Sequence, residues 1–239
     1  MRILATFLLF LSVSFGFEMP QVRAILSDVK DGGARIENSD KIVLGSSGVV
    51  IRNFKNGESS IIARAVVTQK NGAYANVRFE VFENLAQDAL PIPGVMPKNG
   101  DTIILNYLYS RAVIVAPNES VYKQVTEHFK NITFISPDVA AAYLADIHSP
   151  SPNRTDFRNI CYQNAAGLIF IAFDGEGIFA DCGSFKTLHS FKSGKVSGYM
   201  RPFYSNVRKI SEHFWDINDG QIGNYEKYYR KLIKQNEGE

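Results

Sequence analysis

From Val22 to Leu105, apolar and polar residues alternate with a period of two, and glycine-bearing turns punctuate the alternation. That is the pattern of antiparallel strands with one face buried. Val22–Val29 reads as a strand, Lys30-Asp31-Gly32-Gly33 as a turn, and Ala34–Glu37 as the returning strand. Ile42–Leu44 and Val49–Arg52 read as short strands flanking a tight connection at Gly45-Ser46-Ser47-Gly48. The clearest hairpin is Ser60–Gln69 returning as Ala73–Phe82 around Lys70-Asn71-Gly72, because Asn and Gly both accept positive φ. Its inner face is predicted to carry Ile61, Ala63, Ala65 and Val67 on one strand and Val77, Phe79 and Val81 on the other. Lys98-Asn99-Gly100-Asp101 then feeds a strand at Thr102–Leu105. Short strands so closely spaced predict a small antiparallel β-barrel or sandwich.

The period changes across Leu85–Pro117, where Pro91, Pro93 and Pro97 impose a rigid, extended connection. Beyond it, apolar runs alternate with helical spacing. Ala112–Ala116 is a strand; Asn118 caps a helix to about Phe129; Ile132–Ile135 is the next strand. Ser136-Pro137-Asp138 opens a second helix, and Thr155 is read as the N-cap of a third that runs through Gln163. Leu168–Phe173 and Gly177–Asp181 form a hairpin, and Lys186–Phe191 adds a strand. A short helix from Ser211, with His213, Phe214 and Trp215, precedes a terminal helix from Gln221 to about Gln235. The fold class expected is α+β / α/β: a small barrel or sandwich, then a compact α/β domain, then a C-terminal helix. The boundaries expected are 1–16 for a leader, 17–105 for the β domain, 106–200 for the α/β domain and 201–239 for the C-terminal helical segment.

The first residues change the picture most. Arg2, the apolar run Ile3–Phe15 and the small residues Ser14 and Gly16 form a secretory signal pattern, with cleavage expected between Gly16 and Phe17. The run is shorter than the ~20 residues that span a bilayer. A soluble, exported protein of the periplasm, or one associated with the surface, is expected. In that setting Cys161 and Cys182, the only cysteines, either bridge or stay apart as small buried side chains. They do not by themselves make a zinc site. Across 239 residues, a net charge of +2 with interspersed signs excludes a nucleic-acid stripe, and 45% hydrophobic content excludes wholesale disorder.

Reactive motifs are missing. Gly45–Gly48 lacks the spacing of a nucleophile elbow, and there is no phosphate loop, His-Glu-x-x-His or calcium loop. Asp174, Glu176 and Asp181 are a pair-of-carboxylates candidate that reads better as turn chemistry. His128, His148, His189 and His213 read as caps or surface residues, and the sequons at Asn118, Asn131 and Asn153 as chance. No catalytic residue, cofactor or metal is expected. The terminal helix carries an apolar stripe of Ile222, Tyr225, Tyr229, Leu232 and Ile233 opposite Glu226, Lys227, Arg230, Lys231 and Lys234. Glu226 and Arg230 stand one turn apart. The helix either docks on its own domain or offers Tyr225, Tyr229 and the charged residues to a protein partner.

The run from Gly45 to Phe203 resembles the plasminogen-binding protein (PgbA) N-terminal domain family of epsilon-proteobacteria. The resemblance lies in GSSGVVIRNF, SSIIARAVV, ALPIPGVMPKNGDTIILNYLYSRAVIVAPN, NITFISPDVAAAYL, GLIFIAFD and RPFYSNV. It implies an exported or surface-associated protein with no catalytic residues to carry over. The name implies capture of host plasminogen through kringle domains, whose sites take a cation and an anion at fixed separation. The sequence ends Gln235-Asn236-Glu237-Gly238-Glu239 without a terminal lysine. On the last helix, Lys227, Arg230, Lys231 and Lys234 beside Glu226 and Glu237 read either as charges that solvate the helix or as an internal mimic. Export and two packed bodies lead instead to a non-enzymatic protein–protein interaction or scaffold module of the periplasm or envelope, such as an accessory of the flagellar motor; surface plasminogen binding is the alternative.

Overall fold

The computed structural model describes residues 17–80, 94–207 and 222–234. The leader at 1–16 and the helix expected from Ser211 lie outside them. Seven strands form the first sheet: Val22–Ile25 (β1), Ser27–Lys30 (β2), Gly33–Glu37 (β3), Ser47–Asn53 (β4), Ser59–Asn71 (β5), Tyr74–Glu80 (β6) and Thr102–Leu105 (β7). All its pairs are antiparallel, in the order β1-β7-β4-β5-β6-β3-β2. The two edges of that order are consecutive in the chain, with only Leu26 between them. The expected single strand Val22–Val29 therefore bends at Leu26, pairing with β7 before the bend and with β3 after it, and the sheet curls into a half-barrel. Leu26 sits buried at the bend, donating its N–H to Asp101 O and accepting from Gly100 N, both at 2.9 Å.

The inward positions follow the alternation read from the sequence except at Ile61, where the register shifts and Ile62 packs on the core instead; Val81 lies outside the described residues. Ile36, Val50, Ala65, Val67, Val77 and Ile103 share one core. Each fully buried aliphatic side chain of this kind contributes about 1.5–3 kcal/mol. Ile42–Leu44 is not a strand, in contrast to the expectation. Gly45 N–H donates to Val67 O and Ile42 N–H to Ser39 O, so the segment loops while Ile42 plugs the core. Gly48 is required by close approach: a Cβ there would strike the backbone of Ile104 and Leu105 in the neighbouring strand.

The second sheet has the order β12-β11-β10-β8-β9, from Arg111–Val115 (β8), Thr133–Ile135 (β9), Leu168–Phe173 (β10), Glu176–Asp181 (β11) and Thr187–Lys192 (β12). β8 runs parallel to β9 and β10; the remaining pairs are antiparallel. β8 and β10 are covered on both faces, so they read as continuous apolar runs. Val113, Val115, Ile169 and Ile171 face a core shared with helices Pro137–Asp146 (α2), Arg154–Gln163 (α3) and Tyr225–Lys234 (α4). Ala112, Ile114, Leu168 and Phe170 face the other way, toward Glu119–His128 (α1), and Phe17 stacks on Phe179 there at 4.3 Å. The architecture is mixed α+β: a curled antiparallel sheet, a second sheet with helices, and a C-terminal helix.

The helix starts are local chemistry. Asn118 accepts from Val121 N, and Ser136 from Asp138 N. The third cap is Asn153 rather than the expected Thr155, because Asn153 and Asp156 form a reciprocal capping box.

Candidate functional site

The terminal helix commits its apolar face to its own core. Tyr225 and Tyr229 are buried; their hydroxyls donate to Val115 O and Ala172 O at 3.1 Å and to Pro202 O at 2.9 Å respectively. Burial pushes both phenols well above their ordinary range. These two residues are thus not a surface for a partner, which corrects that expectation: the rings serve intramolecular packing. Ile222 is buried as well but precedes the helix.

Glu226 and Arg230 are also engaged within the chain. Arg230 Nη1 donates to Glu176 at 2.9 Å, its Nε lies 3.3 Å from Glu226, and its guanidinium covers the Phe173 ring at 4.2 Å. Partial burial works against the Arg230 charge, but Glu176 and Glu226 outweigh it and raise the pKa. The other Glu226 oxygen accepts from Asp174 N at 2.8 Å and from the Tyr199 hydroxyl at 3.2 Å. Glu226 is therefore occupied and does not supply the anion of a lysine mimic; Glu237 lies outside the described residues. Left facing solvent are Lys227, Lys231 and Lys234, a row at i, i+4 and i+7 along one side of α4.

A second cluster joins the barrel to the layered unit. Asp181, which ends β11, is buried. Its carboxylate accepts from Ser47 Oγ on the barrel, from the Tyr109 hydroxyl at 2.8 Å, and from Gly183 N and Ser184 N at 3.1 and 2.6 Å. Arg64 of β5 reaches it at 2.9 Å and also pairs with Glu80. Tyr109 further accepts from Ser47 N at 2.9 Å, and burial beside Asp181 pushes its phenol well up. One carboxylate thus gathers donors from both bodies. From the sequence, Asp181 is expected to be a turn residue like Asp174 and Glu176, with paired carboxylates the alternative. In the fold each has separate partners: Asp174 accepts from Val196 N at 2.8 Å, and Glu176 pairs with Arg230.

Cys161 of α3 and Cys182 are joined by a disulfide, with Cα atoms 6.5 Å apart. Asn118 and Asn153, two of the three sequon asparagines, are spent on helix caps. His128 ends α1, and His189 lies against Phe17 and Phe191. His213 lies outside the described residues. Among the described residues, no three His, Cys, Asp or Glu side chains gather as metal ligands, and no helix is long and apolar enough to cross a membrane.

A family model described as plasminogen-binding protein pgbA N-terminal matches residues 21–233. The plasminogen-binding protein PgbA of Helicobacter pylori strain J99 is 26% identical over 196 residues, which cover 80% of this chain and 43% of that protein. PgbA of strain 26695 is 26% identical over 196 residues, or 42% of its length. The chain thus spans less than half the length of these relatives.

Proposed function

The chain belongs to the plasminogen-binding protein PgbA N-terminal family, and from that premise we propose that it is an exported, non-enzymatic protein-binding module whose ligand is host plasminogen. The observation that carries the reading is the row Lys227, Lys231 and Lys234, presented on a helix whose opposite face is locked into its own core. A lysine-binding kringle takes a cation with an anion at fixed separation; a docked helix supplies the positioned ammonium with less ordering cost than a free tail, and the anion must come from a carboxylate other than Glu226. The curated relatives are named for the same ligand.

The test is binding of the full-length chain to immobilised plasminogen with and without 6-aminohexanoic acid. Saturable binding abolished by the lysine analogue supports the reading; binding indifferent to it contradicts it. Access is a separate requirement. Protease treatment of intact cells should digest the protein, and complete protection would leave the module without its ligand.

A second reading is a scaffold inside the periplasm or envelope, including an accessory of the flagellar motor. Its support is the buried junction at Asp181, whose carboxylate takes donors from both the curled sheet and the layered unit. Under that reading deletion impairs motility and in-cell crosslinking yields a defined envelope complex. Normal motility without any crosslinked product would sink it.

A further inference from the structure

A cleft of about 810 Å³ opens between the barrel and the layered unit, within the size range of ligand sites and at the kind of boundary where they occur. Its lining combines the Arg64–Asp181 junction with Arg78 and Glu80 on the barrel side and Arg158 and Tyr162 of α3 on the other. The two carboxylates are already satisfied. Asp181 holds Arg64 and four further donors, while Glu80 takes Arg64 together with Arg78 at 2.9 Å.

Arg158 differs from them. It is exposed and, among the described residues, makes no ion pair. Its Nε donates to Gly183 O at 2.7 Å, and the guanidinium lies 5.8 Å from the Phe185 ring. A guanidinium fixed through Nε keeps both terminal nitrogens for a ligand, as a fork that matches a carboxylate. The anchor is itself held covalently. Cys161 lies three residues beyond Arg158 on α3, and its disulfide partner Cys182 immediately precedes Gly183. The same cleft has apolar lips: Leu44 on the barrel side is 54% exposed and Tyr162 on α3 is 36% exposed. A bare anion has no use for such lips, whereas a peptide with an apolar side chain beside its carboxylate fits both.

We propose that this cleft binds an extended acidic peptide segment of a protein partner, with Arg158 gripping a carboxylate and Leu44 and Tyr162 enclosing a neighbouring apolar side chain. None of these residues belongs to α4, so the site stands apart from the plasminogen reading.

The probe is a fluorescein-labelled octapeptide of alternating glutamate and leucine, titrated with the full-length chain and followed by anisotropy; its glutamine–leucine counterpart is the control. Saturable binding of the glutamate peptide alone is expected, weakening with salt. Arg158→Gln should lower affinity about tenfold, as loss of a charge-assisted fork does, with an unchanged urea midpoint, and Leu44→Ser should lower it too. Lys227→Gln combined with Lys231→Gln and Lys234→Gln should leave it unchanged. No binding, equal binding of both peptides, or undiminished affinity in Arg158→Gln overturns the proposal. So does displacement by equimolar inorganic phosphate, or loss of binding in the triple lysine variant.

Discussion

Replacing Asp181 by alanine should separate the two bodies energetically. The carboxylate is buried and its Arg64 partner mostly so, with side-chain exposures of 1% and 20%. Removing one member of a buried pair costs about 3–5 kcal/mol when the other is stranded, and somewhat less here because Arg64 keeps Glu80. The variant also strands the Ser47 and Tyr109 hydroxyls and the amides of Gly183 and Ser184. An unsatisfied buried donor costs about 1–3 kcal/mol, but the adjoining cleft admits water to some of these groups, so the contributions do not simply sum. We expect a net loss of about 4 kcal/mol for Asp181→Ala. Asp181→Asn, which keeps the shape but forfeits the charge, should lose about 2 kcal/mol. Ser47→Ala leaves the carboxylate with its other donors and should cost about 1 kcal/mol. Urea denaturation of the full-length chain measures all three through the midpoint at constant slope. A loss under about 1 kcal/mol for Asp181→Ala would refute the assignment of this carboxylate as the joint between barrel and layered unit.

Other consequences follow from the same geometry. Asp101 feels burial that raises its pKa, but Arg52 at 2.6 Å and the Lys98 amide overcome it and hold the carboxyl below its ordinary range. That stability is present above the unfolded value of about 4 and should be lost as pH falls below it; an Arg52→Gln variant with the same acid profile would contradict this. Tyr109, Tyr225 and Tyr229 are pushed up by burial. The fold favours their neutral form, so stability is full below about pH 10 and falls as pH rises beyond it. In an alkaline absorbance titration these three phenols should ionise only with unfolding; smooth ionisation of all 11 tyrosines in the folded chain would be the opposite result. Finally, Cys161→Ser with Cys182→Ser opens a loop of sequence separation 21 and should lower stability by about 3 kcal/mol. An unmoved urea midpoint would show that the bridge constrains nothing.

What the sequence made legible were the elements whose cause is local. Alternation over β5 and β6 and the Asn71-Gly72 turn specify a hairpin without help from the rest of the chain. The apolar runs at β8 and β10 announce strands covered on both faces. Two misreadings came from tertiary demands. Leu26 looks like one more residue of a continuous strand, yet it is the bend that carries the chain from one edge of the curled sheet to the other. Ile42–Leu44 has strand composition, but its backbone partners lie in a loop and in β5. Thr155 lost its cap role to Asn153 because the box needs Asp156 at the third helical position.

The site was harder to read. Asp181 gave one faint signal, an acid ending a strand whose interior is Gly-Ile-Phe-Ala, and nothing in sequence separation hints at Ser47 or Arg64 as partners. The stripe on α4 was visible, but whether Tyr225 and Tyr229 meet a partner or their own core depends on what stands opposite them. The lysine row survives because no core residue competes for it.

That row offers the most direct measurement. Full-length chain carrying Lys227→Gln, Lys231→Gln and Lys234→Gln should keep its urea midpoint, since all three side chains face solvent, and lose its analogue-sensitive binding to immobilised plasminogen. Undiminished plasminogen binding by that folded variant would contradict the account.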